Sequence, residues 1–236
     1  TFPDGVRHAM EGREGDHREA HNLYGLLMNR AAWEALRRLR PDRRPFLLTR
    51  SGWAGIQRYA WTWTGDVESS WAALRQTLAT VLGLGLSGVP YSGPDIGGFS
   101  GAPSAELFIR WFQAAAFMPF FRNHAAKGTP RREPWVFGEP VLSITRAFLR
   151  LRVRLLPYLY TLAWEAAQTG APLTRPLFWL NEMDPELWEI EDAFLLGSAL
   201  LVAPVLEAGA RAREVFLPTG EWYDFWSDAQ RAGPAR

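Results

Sequence analysis

Pro45-Phe46-Leu47-Leu48-Thr49-Arg50-Ser51-Gly52 and Tyr59-Ala60-Trp61-Thr62-Trp63-Thr64-Gly65-Asp66 are the two stretches whose reading decides the fold. Each is a short apolar or β-prone run that stops at a charged residue beside glycine, as a buried strand does. After Asp66, Ser69 or Ser70 can cap a helix whose apolar positions are Trp71, Leu74, Leu78, Val81 and Leu82. Gly83, Gly85 and Gly88 break it.

The same grammar recurs downstream. Val89-Pro90-Tyr91-Ser92 runs into Gly93-Pro94-Asp95, and Ser104 can cap a helix carrying Leu107, Trp111 and Ala115. Phe117, Met118, Pro119, Phe120 and Phe121 form a short strand that ends at Arg122-Asn123-His124. A long helix over about 140–168 follows, with the stripe Val141, Ile144, Phe148, Leu151, Leu155, Tyr158 and Leu162. Pro157 is expected to kink it and Gly170 to end it. Upstream, residues 20–40 read as a helix closed by Pro41, and residues 1–17 as polar loop.

Strand, polar strand end and helix in alternation is the signature of an α/β fold, a parallel barrel or an open sheet. About four units make half of a (β/α)8 barrel. The stretch between Arg50 and Asp66 is too short for a full helix plus a strand, so that unit is atypical. After Gly170 the texture changes to short β-rich runs at 173–180, 200–204 and 214–217, with one short helix at 185–194. This reads as the start of an antiparallel domain, with residues 1–169 before the boundary and 170–236 after it.

Composition bounds the function. The chain has 236 residues, 47% hydrophobic and 22% charged, and a net charge of +1. It is long enough to bury a core without staples. It has no cysteine, which excludes disulfides, a thiolate nucleophile and cysteine-ligated zinc. The balanced charge argues against nucleic acid as a partner. No leader-like stretch is visible, and the longest apolar candidate, 193–206, is broken by Gly197, Ser198 and Pro204, so no membrane partner is expected. The expected compartment is the cytoplasm. Both ends look cut, as in a piece of a longer protein.

In parallel βα folds, functional side chains come from the C-terminal ends of strands. Here these are Arg50, Asp66, Asp95 and Asn123-His124, with Trp53, Trp61, Trp63, Phe99 and Trp111 around them. Charged hydrogen bonds for hydroxyls and aromatic faces for C–H groups suit a sugar. Glycoside hydrolysis needs two carboxyls, roughly 5–5.5 Å apart for retention and 6.5–9.5 Å for inversion, one of them kept protonated. Read from the residues alone, Asp66 pairs with Asp95. Plainer readings stand beside these: Asp66 as a helix cap, Asp95 as a turn former, Arg50 as a structural ion-pair partner. His17 and His21 have a metal-compatible spacing but no third ligand nearby. Arg146, Arg150 and Arg154 form a solvated helix face.

Together these segments resemble glycoside hydrolase family 31, the α-glucosidase and α-xylosidase group. The resemblance runs over about residues 21–226. It rests on Arg50-Ser51-Gly52-Trp53-Ala54-Gly55-Ile56-Gln57-Arg58-Tyr59, Trp63-Thr64-Gly65-Asp66, Gly85-Leu86-Ser87-Gly88-Val89-Pro90, Asp95-Ile96-Gly97-Gly98-Phe99, Phe120-Phe121-Arg122-Asn123-His124 and Leu155-Leu156-Pro157-Tyr158-Leu159-Tyr160. It implies the C-terminal half of a (β/α)8 barrel followed by the start of a β-sandwich domain. The implied activity is retaining exo-α-glycosidase, with Asp66 as general acid/base. Arg50 and His124 would bind the sugar, Trp63 and Phe99 would wall the pocket, and Asp95 would stand near it. No metal or organic cofactor is implied. The implied partner is an oligosaccharide or α-glucoside, and a homo-oligomer is open for the full-length form. The family's nucleophile is an aspartate in a Trp-x-Asp-Met-type segment that this chain lacks. Thr1-Phe2-Pro3-Asp4-Gly5 resembles the loop just after it, so the nucleophile is expected upstream and Asp4 reads as loop. The resemblance therefore overrides the pairing of Asp66 with Asp95. The isolated chain is expected to be inactive and poorly soluble. Alternatives are a non-catalytic carbohydrate-binding relative, an α-xylosidase or other α-glycosidase, and a barrel enzyme ligating metal through Asp66, Asp95 and His124.

Overall fold

The structure, a computed structural model, describes residues 2–235. Thr1 and Arg236, the outer ends of the two expected domains, lie outside the described residues.

Among the described residues there are five α-helices: α1 (His17–Leu39), α2 (Trp71–Leu86), α3 (Ala105–Ala115), α4 (Val141–Thr169) and the one-turn α5 (Pro185–Trp188). The serine caps are where the sequence puts them. Ser70 Oγ accepts from the Ala73 amide and Ser104 Oγ from the Leu107 amide, so each meets an otherwise orphaned first-turn donor. Gly170 ends α4 in the left-handed conformation. The helix continues through Pro157 to Thr169, packed along much of its length.

Between these helices, four extended segments lie side by side and parallel. The Trp61 amide donates to Leu47 O and the Thr49 amide to Trp61 O; the Thr62 and Thr64 amides donate to Tyr91 O and Gly93 O. The Phe120 amide donates to Ser92 O, and the Ile96 amide to Arg122 O. Isolated parallel bridges join Leu48 to Trp61 and Asp95 to Arg122. The spatial order thus follows the chain order, as in a barrel wall built from successive βα units. Gly93 is required here, because a Cβ on it would stand 2.0 Å from Phe120 O.

The segments expected to be loop or helix are partly otherwise. Arg7–His8 (β1) and Gly15–Asp16 (β2) form a small antiparallel pair ahead of α1, which starts at His17 under an Asp16 cap. The expected strand at 173–180 is only Thr174–Arg175 (β3), then a 3-10 turn at Leu177–Trp179. The expected helix at 185–194 is one turn long, and Phe194–Leu196 is strand (β4) paired with Leu200–Val202 (β5). The strand expected at 214–217 begins at Leu217 and runs to Tyr223 (β6), pairing with Gln230–Ala235 (β7). All the pairings after residue 170 are antiparallel.

One core joins the two halves. Leu74, Leu78 and Val81 of α2, Phe108 and Trp111 of α3, and Leu159, Leu162 and Ala166 of α4 pack in the same cluster as Phe194, Leu196 and Val202. Polar ties cross the same seam: Tyr158 OH donates to Leu196 O at 2.8 Å and Arg110 to Ala210 O at 3.0 Å. Arg152, buried on α4, donates to the carbonyls of Ala116, Met118 and Pro119, and its burial pulls its pKa down to about 10. Arg146, Arg150 and Arg154 are exposed, as the sequence suggests. On another face of α4, Leu149, Val153, Leu156, Tyr160 and Trp164 are also exposed, at steps of three and four that put them in one stripe.

Candidate active site

The rim is assembled at the ends of the parallel segments. Arg50 follows Thr49, and Asp66 follows Gly65 at the end of the neighbouring segment. Arg50 Nη2 and Asp66 Oδ1 are 2.7 Å apart, with both side chains partly open to solvent. Trp63 lies between two cations: the guanidinium carbons of Arg50 and Arg122 stand 5.1 and 5.0 Å from its ring centre.

The next strand end supplies Phe99. Its amide donates to Val67 O at 2.7 Å, which ties the Phe99 loop to the residue after Asp66. Ser69 Oγ donates to Gly97 O and Ser100 O at 2.7 and 2.8 Å. Gly98 has φ +84°, and a Cβ there would meet Glu68 O at 2.6 Å, so the two loops touch backbone to backbone only because residue 98 is glycine. On the other side, the Phe99 and His124 rings are 5.5 Å apart, and His124 itself is exposed.

Asp95 stands at its strand end behind Arg122. It is fully buried. Nε and Nη2 of Arg122 both stand 2.6 Å from its Oδ1, while Oδ2 is buried without a hydrogen-bond partner. Burial pushes its pKa up, against the opposing pull of the Arg122 hydrogen bond and charge. Asp95 holds Arg122, and Arg122 in turn packs on Trp63.

Among the other aromatics, Trp53 is exposed near the Arg50 loop. Trp61 stacks on Tyr91 with ring centres 4.9 Å apart. Trp111 is wholly buried in the core and is no part of the mouth. His17 and His21 have rings 5.4 Å apart, and His17 Nδ1 is 3.0 Å from His8 Nε2. No group of three potential metal ligands occurs among the described residues. Sequence reading passed over Arg122 as a site residue and missed Arg132. Both are buried or half-buried arginines at strand ends or in loops, and nothing in their immediate sequence separates them from surface arginines.

Residues 2–162 match the glycosyl hydrolases family 31 TIM-barrel domain, and residues 170–236 match the glycosyl hydrolase family 31 C-terminal domain. The chain belongs to glycoside hydrolase family 31. It is the TIM-barrel type of α/β fold followed by a C-terminal β domain. Among family 31 members, alpha-glucosidase 2 of Bacillus thermoamyloliquefaciens is 46% identical over 94% of this chain and 28% of its own length. Human neutral alpha-glucosidase C is 43% identical over 96% of this chain and 25% of its own length. A glucosidase II alpha subunit in its Glc1Man2-bound form superposes with a TM-score of 0.93 at 36% identity, covering 100% of this chain and 26% of that one. The family 31 dextranase of Flavobacterium johnsoniae, complexed with glucose, gives a TM-score of 0.89 at 36% identity, covering 94% of this chain and 29% of its own. The chain therefore spans about a quarter of the length of the relatives it matches. No helix among the described residues is long and apolar enough to cross a membrane.

Proposed function

We propose that this chain supplies the last four βα units of the catalytic barrel, residues 1–169, and the start of the following β-sandwich domain, residues 170–236, of a retaining exo-α-glucosidase. The observation that carries this reading is the rim itself: Asp66 beside Arg50, between Trp63 and the Phe99 loop, in a chain whose family 31 relatives are named alpha-glucosidases. The substrate is an oligosaccharide or α-glucoside with a terminal α-linked sugar.

The mechanism is double displacement. A carboxylate from the chain before Thr1 attacks the anomeric carbon while Asp66 gives its proton to the leaving oxygen. The Asp66 carboxylate then takes a proton from the water that hydrolyses the glycosyl-enzyme. Arg50 and His124 hydrogen-bond sugar hydroxyls, and Trp63 and Phe99 pack on its C–H faces. Asp95 serves this pocket by fixing Arg122.

Hydrolysis of p-nitrophenyl α-glucoside and of maltose by the complete protein, wild type against Asp66→Ala, tests the reading. The variant is expected to lose about 10²–10⁴-fold on maltose, the contribution of general acid–base catalysis. Wild-type-like turnover of maltose by Asp66→Ala would reject the role. A second reading, a carbohydrate-binding relative, fits a chain whose sequence holds no Trp-x-Asp-Met-type nucleophile segment. Saccharide binding by the complete protein with no hydrolysis would select it.

A further inference from the structure

Arg132 is 4% exposed and has no carboxylate within ion-pair distance among the described residues. Burying an unpaired cation costs free energy, so its donors need compensation. Nη1 and Nη2 find it in one place, while Nε is buried without a hydrogen-bond partner. Nη1 donates to the carbonyls of Gly97 and Gly98, and Nη2 to Gly101 O at 2.6 Å. All three acceptors have positive φ, in a stretch whose backbone is intrinsically the least restrained and which carries Phe99.

The same residue is tied to the neighbouring strand end. Asn123 Nδ2 donates to Arg132 O at 3.1 Å, and the Ala126 amide donates to Phe99 O at 2.9 Å. Across the loop, the Phe99 and Ser100 amides donate to Val67 O, and the Ser69 amide donates to Ser100 O. The guanidinium thus holds the 97–101 loop, and main-chain hydrogen bonds carry that hold to the loop after Asp66 on one side and to the segment after His124 on the other.

We propose that Arg132 is a positioning residue: it clamps the 97–101 loop and thereby sets Phe99, and through Val67 the Asp66 carboxyl, against the scissile bond. This rests on the α-glucosidase reading above. A fork bridging three carbonyls is a geometry that a lysine, as a point donor, cannot reproduce.

The test uses the complete protein carrying Arg132→Met or Arg132→Lys. Folding is checked by near-UV circular dichroism, and kcat/KM, which reports the first displacement and not the shared hydrolysis of the glycosyl-enzyme, is measured on methyl α-glucoside and on α-glucosyl fluoride. The first needs a proton on its leaving group and the second needs little help. A misplaced acid is expected to lower kcat/KM about 10–100-fold on the glucoside, as a displacement of order an ångström does, and less than about threefold on the fluoride. Arg132→Lys should show the same dependence, smaller. Equal losses on both substrates, or none, overturn the proposal. Loss of the fold in both variants also overturns it, because Arg132 would then be holding the barrel and not the site. A crystal structure of Arg132→Met reads the loop without reference to activity. The 97–101 backbone should move away from Val67, and an unmoved loop overturns the proposal. Wild type and Asp66→Ala, assayed alongside, show whether the α-glucosidase reading itself has failed.

Discussion

Arg50 Nη2 and Asp66 Oδ1 meet at 2.7 Å from the ends of two adjacent parallel segments. The contact links the first charged strand end to the proposed proton donor, and it stands over the face of Trp63. Both side chains are partly solvated, so the pair contributes little to stability.

Arg50→Met in the complete protein is therefore expected to change unfolding free energy by less than about 1 kcal/mol. Its kcat/KM on maltose should fall about 10–100-fold, the loss of one charged hydrogen bond of roughly 1.5–3 kcal/mol. Denaturant titration beside initial rates checks both halves. A large stability loss with intact kinetics would make Arg50 a structural residue.

Asp95 should give an unusual pH dependence. Its folded pKa lies above the ordinary 3.8, because burial outweighs Arg122. The folded chain therefore keeps a proton that the unfolded chain has already lost. The stability this contributes is fully present below the unfolded pKa and is lost as pH rises through the folded value. Paired carboxylates usually show the reverse. Denaturant unfolding over mildly acidic pH, wild type against Asp95→Asn, should show this downward component in the wild type and not in the variant. Identical pH slopes would contradict it.

Phe99 acts through contact area. Phe99→Ala is expected to raise KM for an α-glucoside about tenfold, from roughly 1.5 kcal/mol of lost aromatic packing, with a smaller change in kcat. An unchanged KM would remove Phe99 from the pocket wall.

The exposed stripe on α4 makes a prediction whose sign depends on context. Residues 1–236 alone are expected to hydrolyse no α-glucoside and to bind a hydrophobic dye through Leu149, Val153, Leu156, Tyr160 and Trp164. Leu156→Glu with Trp164→Arg should raise the solubility of the isolated chain and lower the melting temperature of the complete protein, where the missing barrel half would cover them. Equal thermal stability of the complete protein with and without the two substitutions would show that this face is free there as well.

The barrel half was legible because its signals are local. Ser70 and Ser104 announce helix starts, Gly170 a helix stop, and the charged residues after each apolar run mark the rim. The β domain was less so. Phe194, Leu195 and Leu196 are all buried, so no alternation marks them as strand, and the run could equally prolong a helix. Hydrogen bonding to Leu200–Val202 decides it, and no periodicity records that partner. The site was legible in its residue types but not in their burial. Asp95 and Phe99 are close in sequence, yet one is sealed beneath Arg122 and the other stands beside His124. Arg132 and Arg152 were invisible for the same reason, since an arginine is taken as a surface residue until its acceptors are known.

The apolar packing that runs from Leu162 and Ala166 into Phe194 and Leu196 has a consequence for protein engineering. The junction near residue 170 is a welded seam, so the two halves should melt in a single cooperative step. A chimera that grafts another member's β domain here would need the matching surface of α4 as well, including the hydroxyl of Tyr158 that reaches Leu196 O.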